Sequence, residues 1–196
     1  MPAGTVPGVS TPPARSVDEI LERLAASDGV FDSLGELGDP IDILAHSLQC
    51  AYELEQLAPE DTELQVAGLV HDLGHVLGDF HTVDHGEVGG AWVEPLLGER
   101  VARLTVLHVP AKRYLVATDA DYAAELSDGS VLSLEFQGGA MTPDEAKAFA
   151  ADPHGPDAAT LRRADEAAKV IGREVPGLDH WAPVVEAVVD AHATAR

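Results

Sequence analysis

The sequence predicts an all-α fold built as one domain. Apolar residues recur at helical spacing through most of the chain, several of these runs open on helix-starting residues, and a single short stretch alternates as a strand would. A length of 196 residues suits one domain with a sizeable core. No internal repeat and no second domain is apparent.

Residues 1–16, rich in Pro, Gly, Ser and Thr, read as a disordered lead-in, with the folded domain spanning 17–196. Helical patterning begins where Ser16 and Glu19 fit a capping box, and Leu21, Leu24 and Ala25 then mark an apolar face. Residues 29–40 connect to a helix over 41–57, whose stripe is Ile41, Leu44, Ala45, Leu48, Ala51, Tyr52 and Leu54, with Pro59 beyond its end. A helix over 60–73 follows, then a loop with Gly78 and Asp79, then a helix over 84–97. Further helical pieces are expected at 99–108, 111–118, 142–151, 157–171 and 180–194. Thr142 with Glu145, and Pro143 at the first helical position, give the 142 helix a clear start. Residues 130–137 alternate and suggest a strand closed by Gly138-Gly139, within irregular structure over 128–140.

The 12 Lys and Arg against 34 Asp and Glu leave a net charge of −22. Such a chain repels nucleic acid and anionic membrane, so neither is expected as a partner. A small anionic substrate is repelled at long range too, so a site for one must be built locally, by metal or clustered Lys and Arg. Most of the acids read as solvated surface. Cys50 is the only cysteine, which excludes an internal disulfide and fits a reducing cytoplasm; its setting is a helix interior. No 18-residue apolar span and no basic start followed by an apolar stretch is present, so neither a transmembrane helix nor a signal peptide is expected.

An apolar run, Val66-Ala67-Gly68-Leu69-Val70, leads straight into the adjacent pair His71-Asp72. Burying such a pair is costly unless something holds the charge. Other ligand types fall on core-facing helices: His46 between Leu44-Ala45 and Leu48, His85 at the opening of its helix, His108 after Leu104–Leu107, and Asp165 in a late helix. A lone His on an apolar face is usually a hydrogen-bonded core residue. Four of them with a contiguous His-Asp point to metal, as in bundle-core sites. Four imidazoles and two carboxylates suffice for two metals with one bridging carboxylate, and nitrogen–oxygen ligation without thiolate suits Fe, Mn or Zn. His81, His154, His180 and His192 sit in polar or terminal contexts and read as surface residues. His71 and His75 have the spacing of a zinc-protease helix, but Asp72 stands where that motif needs Glu, and Gly74 interrupts the helix, so a protease is excluded. Lys112-Arg113 is a basic pair in an acidic chain. Lys112 lies one turn from His108, where an ammonium can anchor an anion, while Arg113 pairs with acids elsewhere.

The string His46…His71-Asp72…Asp165 resembles the HD-domain superfamily, which implies a helical metal-dependent fold, most often a phosphohydrolase. A narrower resemblance, over about residues 36–170, is to the mixed-valent diiron oxygenases of phosphonate breakdown. Residues 46–51, 71–75, 85–89, 108–115, 126–127, 133–134, 137–141 and 161–169, with Ser130, carry it. It implies an HD-type helical bundle with a dinuclear site in the core. One iron would be held by His46, His71, Asp72 and Asp165, and the other by Asp72, His85 and His108, so that Asp72 bridges. His75, Lys112, Ser130 and Ser133 match positions that hold the phosphonate, with Asp72, His75 and Lys112 catalytic, while Gln137 matches the pattern without an assigned role.

The implied activity uses an Fe(II)/Fe(III) pair, with O2 as co-substrate, to cleave the C–P bond of a small 1-hydroxyphosphonate and release phosphate. The substrate would be 2-amino-1-hydroxyethylphosphonate or an N-methylated relative. The alternatives are a metal-dependent phosphohydrolase acting on a phosphate ester, and a diiron oxygenase of a hydroxylated metabolite without phosphorus. Glu36 stands where the family has an iron-gating tyrosine, and Asp39 where it has a glutamate that meets the substrate amine. Glu36 is thus a candidate gating ligand and Asp39 a candidate substrate contact, and two carboxylates there would favour a cationic amino or trimethylammonio group. The loop between His71 and His85 is short for the branch, and Ala164 replaces a common Trp.

Overall fold

A computed structural model describes residues 11–32, 38–78 and 84–194. Among these residues all regular structure is helical. Helix α1 (Val17–Ala25) starts at Ser16, whose hydroxyl accepts from the Glu19 N–H, and buries Ile20 and Leu24. Helix α2 (Ile43–Leu57) is capped by Asp42 on the Ala45 N–H, and α3 (Thr62–Val70) by Asp61 on the Leu64 N–H. Each cap satisfies a donor the helix itself leaves unpaired. From Leu64 to Val70 every residue of α3 is buried, which is why its sequence is apolar on all sides. A 3₁₀ turn (Leu73–Val76) follows, then α4 (His85–Leu97), α5 (Glu99–Thr118), α6 (Ala120–Glu125), α7 (Asp128–Phe136), α8 (Pro143–Ala150), α9 (Gly155–Ala167) and α10 (Leu178–Thr194).

Helix α5 runs through the middle and packs on α3, α4 and α9, while α2 closes against α3 and α9. Leu54, Leu69, Leu73, Leu104, Leu161 and Trp181 are wholly buried in one core, each aliphatic side chain contributing on the order of 2 kcal/mol of burial. The expected all-helical class is borne out, with three local corrections.

The expected strand over 130–137 is instead helix α7 through Phe136, capped by Gln137. The buried face of α7 is Gly129, Ser130 and Ser133, while Val131 and Phe136 point outward, so the usual polarity of an amphipathic helix is inverted and its periodicity disguised. The two pieces expected at 99–108 and 111–118 are one helix. Pro110 cannot donate to the Val106 carbonyl, yet α5 continues because Ala111, Lys112 and Leu115 beyond it are buried. The helix expected over 60–73 ends at Val70, and His71 and Asp72 form the junction to the 3₁₀ turn.

Residues 1–10 of the expected lead-in, with Glu36, Asp79 and His81, lie outside the described residues. The end of the lead-in is held against the body: the Thr11 hydroxyl donates to the Leu77 carbonyl, and Ala14 is buried with its N–H on the Trp92 carbonyl. No helix of the described residues is long and apolar enough to cross a membrane.

Candidate metal centre

Helix α2 presents His46 inward. The end of α3 presents His71, the following junction Asp72, the first turn of α4 His85, the middle of α5 His108, and α9 Asp165. Three of the imidazoles are aimed by backbone carbonyls that accept from Nδ1: Ala168 at 3.0 Å for His46, Gly68 at 2.7 Å for His71 and Thr105 at 2.5 Å for His108. A carbonyl only accepts, so each Nδ1 carries the proton and each Nε2 offers its lone pair. These are the outer contacts that orient a metal-binding histidine.

The Nε2 atoms meet in two groups that could each hold a metal ion. In the first, His46 and His71 face each other at 3.2 Å, and His46 lies 3.3 Å from Oδ1 of Asp165. In the second, Nε2 of His85 and His108 stand 2.8 Å apart. Asp72 lies between them. Its Oδ2 is 3.5 Å from His46 and 3.3 Å from His71, while its Oδ1 is 3.3 Å from His85 and 3.6 Å from His108. One carboxylate thus turns one oxygen to each group, the disposition a bridge requires. Two Nδ1-protonated imidazoles with lone pairs 3.2 Å apart repel unless a cation, a proton or a metal ion, sits between them, and the two groups of nitrogen and oxygen donors fit a pair of metals.

The charge pattern agrees. Burial lowers the basicity of His71, but the Asp72 and Asp165 carboxylates outweigh it and lift the imidazolium to about 9; a proton takes the place of a metal there. Burial pushes the Asp72 and Asp165 carboxyls up, yet His71 beside Asp72, and Arg162 beside Asp165, hold both well below the usual carboxylate range. Burial, then the neighbouring His85, keep His108 neutral.

Gly74 makes the second group possible. The 3₁₀ turn presses so closely on α4 that a Cβ at Gly74 would stand 1.9 Å from the His85 carbonyl oxygen. A methyl there would push apart the two segments that carry Asp72 and His85.

A small cavity opens beside the two groups, and His75, Lys112, Ser130, Ser133 and Asp39 all line it. His75 stacks on His85 with ring centroids 4.1 Å apart, and its Nε2 is 4.0 Å from Oδ1 of Asp72. Burial, then the charge of His85, lower His75 to about 3. Lys112 is buried, donates to the Ser133 hydroxyl at 2.6 Å, and is lowered to about 7 by burial and by Arg162. Gln137 lines the cavity as well. Arg113 points away, to the Gly139 carbonyl and Glu145.

Two lining residues, Arg162 and Lys169, fall in the 161–169 stretch that carries the resemblance, which assigns neither a role. Arg162, on α9, is buried and donates to Asp165, Glu166, the Tyr122 hydroxyl at 2.7 Å and the Ser130 hydroxyl at 2.8 Å. Its spacing to Asp165 and Glu166, three and four residues on, was the available signal. Lys169 donates to Asp39 at 2.7 Å, Ser130 at 2.6 Å and Ser127 at 2.9 Å, and bonds Glu166 at 3.2 Å. His154, His180 and His192 take no part in either group.

Residues 43–151 match the HD domain family. The chain belongs to the HD domain family. Within it, the chain is 36% identical over 175 residues to a protein of Leisingera caerulea called 1-hydroxy-2-(trimethylamino)ethylphosphonate dioxygenase (glycine-betaine-forming), covering 84% of this chain and 89% of that one. It is 39% identical over 156 residues to the hydroxymethylphosphonate dioxygenase of Gimesia maris, covering 75% and 77%. His71-Asp72 lies within the matched residues, and the expected kinship with the phosphonate oxygenase branch is borne out.

Proposed function

We propose that this HD domain protein is an iron-dependent dioxygenase that cleaves the C–P bond of a small 1-hydroxyphosphonate and releases phosphate. That is the class to which 2-amino-1-hydroxyethylphosphonate and its N-methylated relatives belong. The observation that carries the reading is the cavity at the metal centre. Its buried ammonium, Lys112, sits one helical turn from His108 in a chain of net charge −22, and two relatives with matching chains are dioxygenases of phosphonates.

His46, His71 and Asp165 would hold one iron and His85 and His108 the other, with Asp72 bridging through its two oxygens. An iron pair with an Fe(II)/Fe(III) state supplies the redox capacity for dioxygen and Lewis acidity toward the substrate hydroxyl. The protein supplies the rest. Lys112 neutralises the phosphonate, and the hydroxyls of Ser130 and Ser133 line the place its oxygens take. His75, neutral and stacked on His85, donates or accepts one hydrogen bond without adding charge. Burial of these groups strengthens each contact and keeps bulk water from the reacting carbon. In this reading residues 17–196 act as one catalytic domain, in the cytoplasm, on a small dissolved substrate, with Glu36 as the candidate gating ligand.

The test is to load the purified protein with iron, count metal per chain, and follow oxygen uptake and phosphate release with a panel of 1-hydroxyphosphonates. Oxygen consumed in step with phosphate is expected. Turnover of a phosphate ester without oxygen would favour the hydrolase alternative, and oxygen uptake only with a phosphorus-free hydroxy acid would favour the other oxygenase.

A further inference from the structure

The part of the cavity wall that Asp39 lines decides what else the substrate can carry. Asp39 stands on that wall, and a lone carboxylate there would welcome an amine. It is not alone. The Lys169 ammonium lies 2.7 Å from its Oδ2, with both side chains largely buried. The pair is held from both sides. Lys169 is fixed by the hydroxyls of Ser127 and Ser130 and by Glu166. Asp39 is clamped against the start of α7, where a Cβ on Gly129 would come within 2.8 Å of the Asp39 nitrogen and 3.0 Å of its carboxylate. A partly buried pair with a fixed partner keeps its charges matched, unlike a loose surface pair.

Beside the pair, this wall holds two isoleucines and one further carboxylate. Ile41 and Ile43 line it, Asp32 lines it but is engaged with partners of its own, and the described lining holds no Trp, Tyr or Phe to form an aromatic cage. A trimethylammonio or ammonium group placed here would meet Lys169 as well as Asp39, and like charges brought together are costly.

We infer that the Asp39–Lys169 pair withdraws Asp39 from the substrate and selects 1-hydroxyphosphonates whose carbon substituent is small and uncharged, such as hydroxymethylphosphonate. The inference rests on the phosphonate reading above and reverses the role that the sequence suggests for Asp39, since Asp39 serves Lys169 and not the substrate. Lys169 is then a specificity determinant.

The test measures binding to the iron-loaded protein without oxygen, by calorimetric titration, for hydroxymethylphosphonate and for 1-hydroxy-2-(trimethylammonio)ethylphosphonate. The uncharged ligand should bind about tenfold tighter or more. Lys169→Met, and the milder Lys169→Gln, free Asp39 and should shift the ratio at least about tenfold toward the cationic ligand. Circular dichroism and iron content report whether each variant has kept its fold. Tighter binding of the cationic ligand by the unaltered protein, or an unchanged ratio in a folded Lys169→Gln variant, overturns the inference while leaving the phosphonate reading standing. Binding of neither ligand overturns both.

Discussion

Gly74→Ala is the smallest change that should split the metal centre in two. The added Cβ would lie 1.9 Å from the His85 carbonyl oxygen, 2.6 Å from its carbon and 2.8 Å from its Cα. All three are backbone atoms, so no side chain can swing aside. Restoring an ordinary contact of about 3.4 Å requires the 3₁₀ turn and the first turn of α4 to part by about 1.5 Å. Asp72 rides on one segment and His85 on the other, and Oδ1 of Asp72 is 3.3 Å from Nε2 of His85. Lengthening that gap by a large part of 1.5 Å takes the two donors out of reach of a shared ion, whose ligand bonds are about 2.0–2.2 Å long. His46 and Asp165 lie on α2 and α9, away from the clash, and His71 is held to the Gly68 carbonyl of α3. On the proposed two-iron centre, the expected outcome is a folded protein that keeps about one iron per chain instead of two, with a stability loss of about 1–3 kcal/mol from overpacking. Elemental analysis after dialysis and urea unfolding read the two effects. Two tightly held irons per chain in Gly74→Ala, with an unshifted unfolding midpoint, would refute the reasoning.

Asp72→Ala should lose both metals, whereas Lys112→Ala should keep both and weaken phosphonate binding; metal counts and titration separate the two. Arg162→Met removes the charge that faces Asp165 and Glu166, and leaving buried carboxylates uncompensated costs about 3–5 kcal/mol. Urea unfolding should show the loss most fully in metal-free protein, because a bound cation takes over part of the neutralisation at Asp165, and an equal loss with metal bound would count against this account. Metal uptake should depend on pH through His71. Its imidazolium titrates at about 9 in the metal-free fold, so below that value a metal must displace a proton, and above it none. Affinity should therefore rise by up to about tenfold per pH unit toward pH 9 and then level off. Proton release on loading at pH 7.5, followed with an indicator dye, checks this, and no release would sink it.

Much of the candidate centre is legible in the sequence because its candidate ligands interrupt apolar runs. His71-Asp72 follows a helix buried on every side, and His46 and His108 sit within apolar stripes, so charge in the wrong place marks them. What escapes the sequence is polar burial that looks like surface. Ser130 and Ser133 face inward while Val131 and Phe136 face water, which hid α7 behind an alternating pattern. Arg162 and Arg163 are adjacent and alike on paper. Only the fold shows that Arg162 is buried among Tyr122, Asp165 and Glu166 while Arg163 reaches Asp119 at the surface. Asp39 was legible as a residue near the site but not in its role, because its partner Lys169 is 130 positions away in sequence and is found only by folding.

The carbonyls that aim the imidazoles differ in reach. His71 and His108 are each steered by a carbonyl three residues back on the same helix. Their aim is set as soon as that turn forms, whatever the rest of the chain is doing. His46 is steered by Ala168, 122 residues away at the end of α9, the same helix that delivers Asp165. Two donors of the first group thus wait on one docking event. A chain shortened before α9 would retain His71, Asp72, His85 and His108, with His46 free to rotate, so that half the centre is complete early in the chain and the other half closes only when the late helix seats.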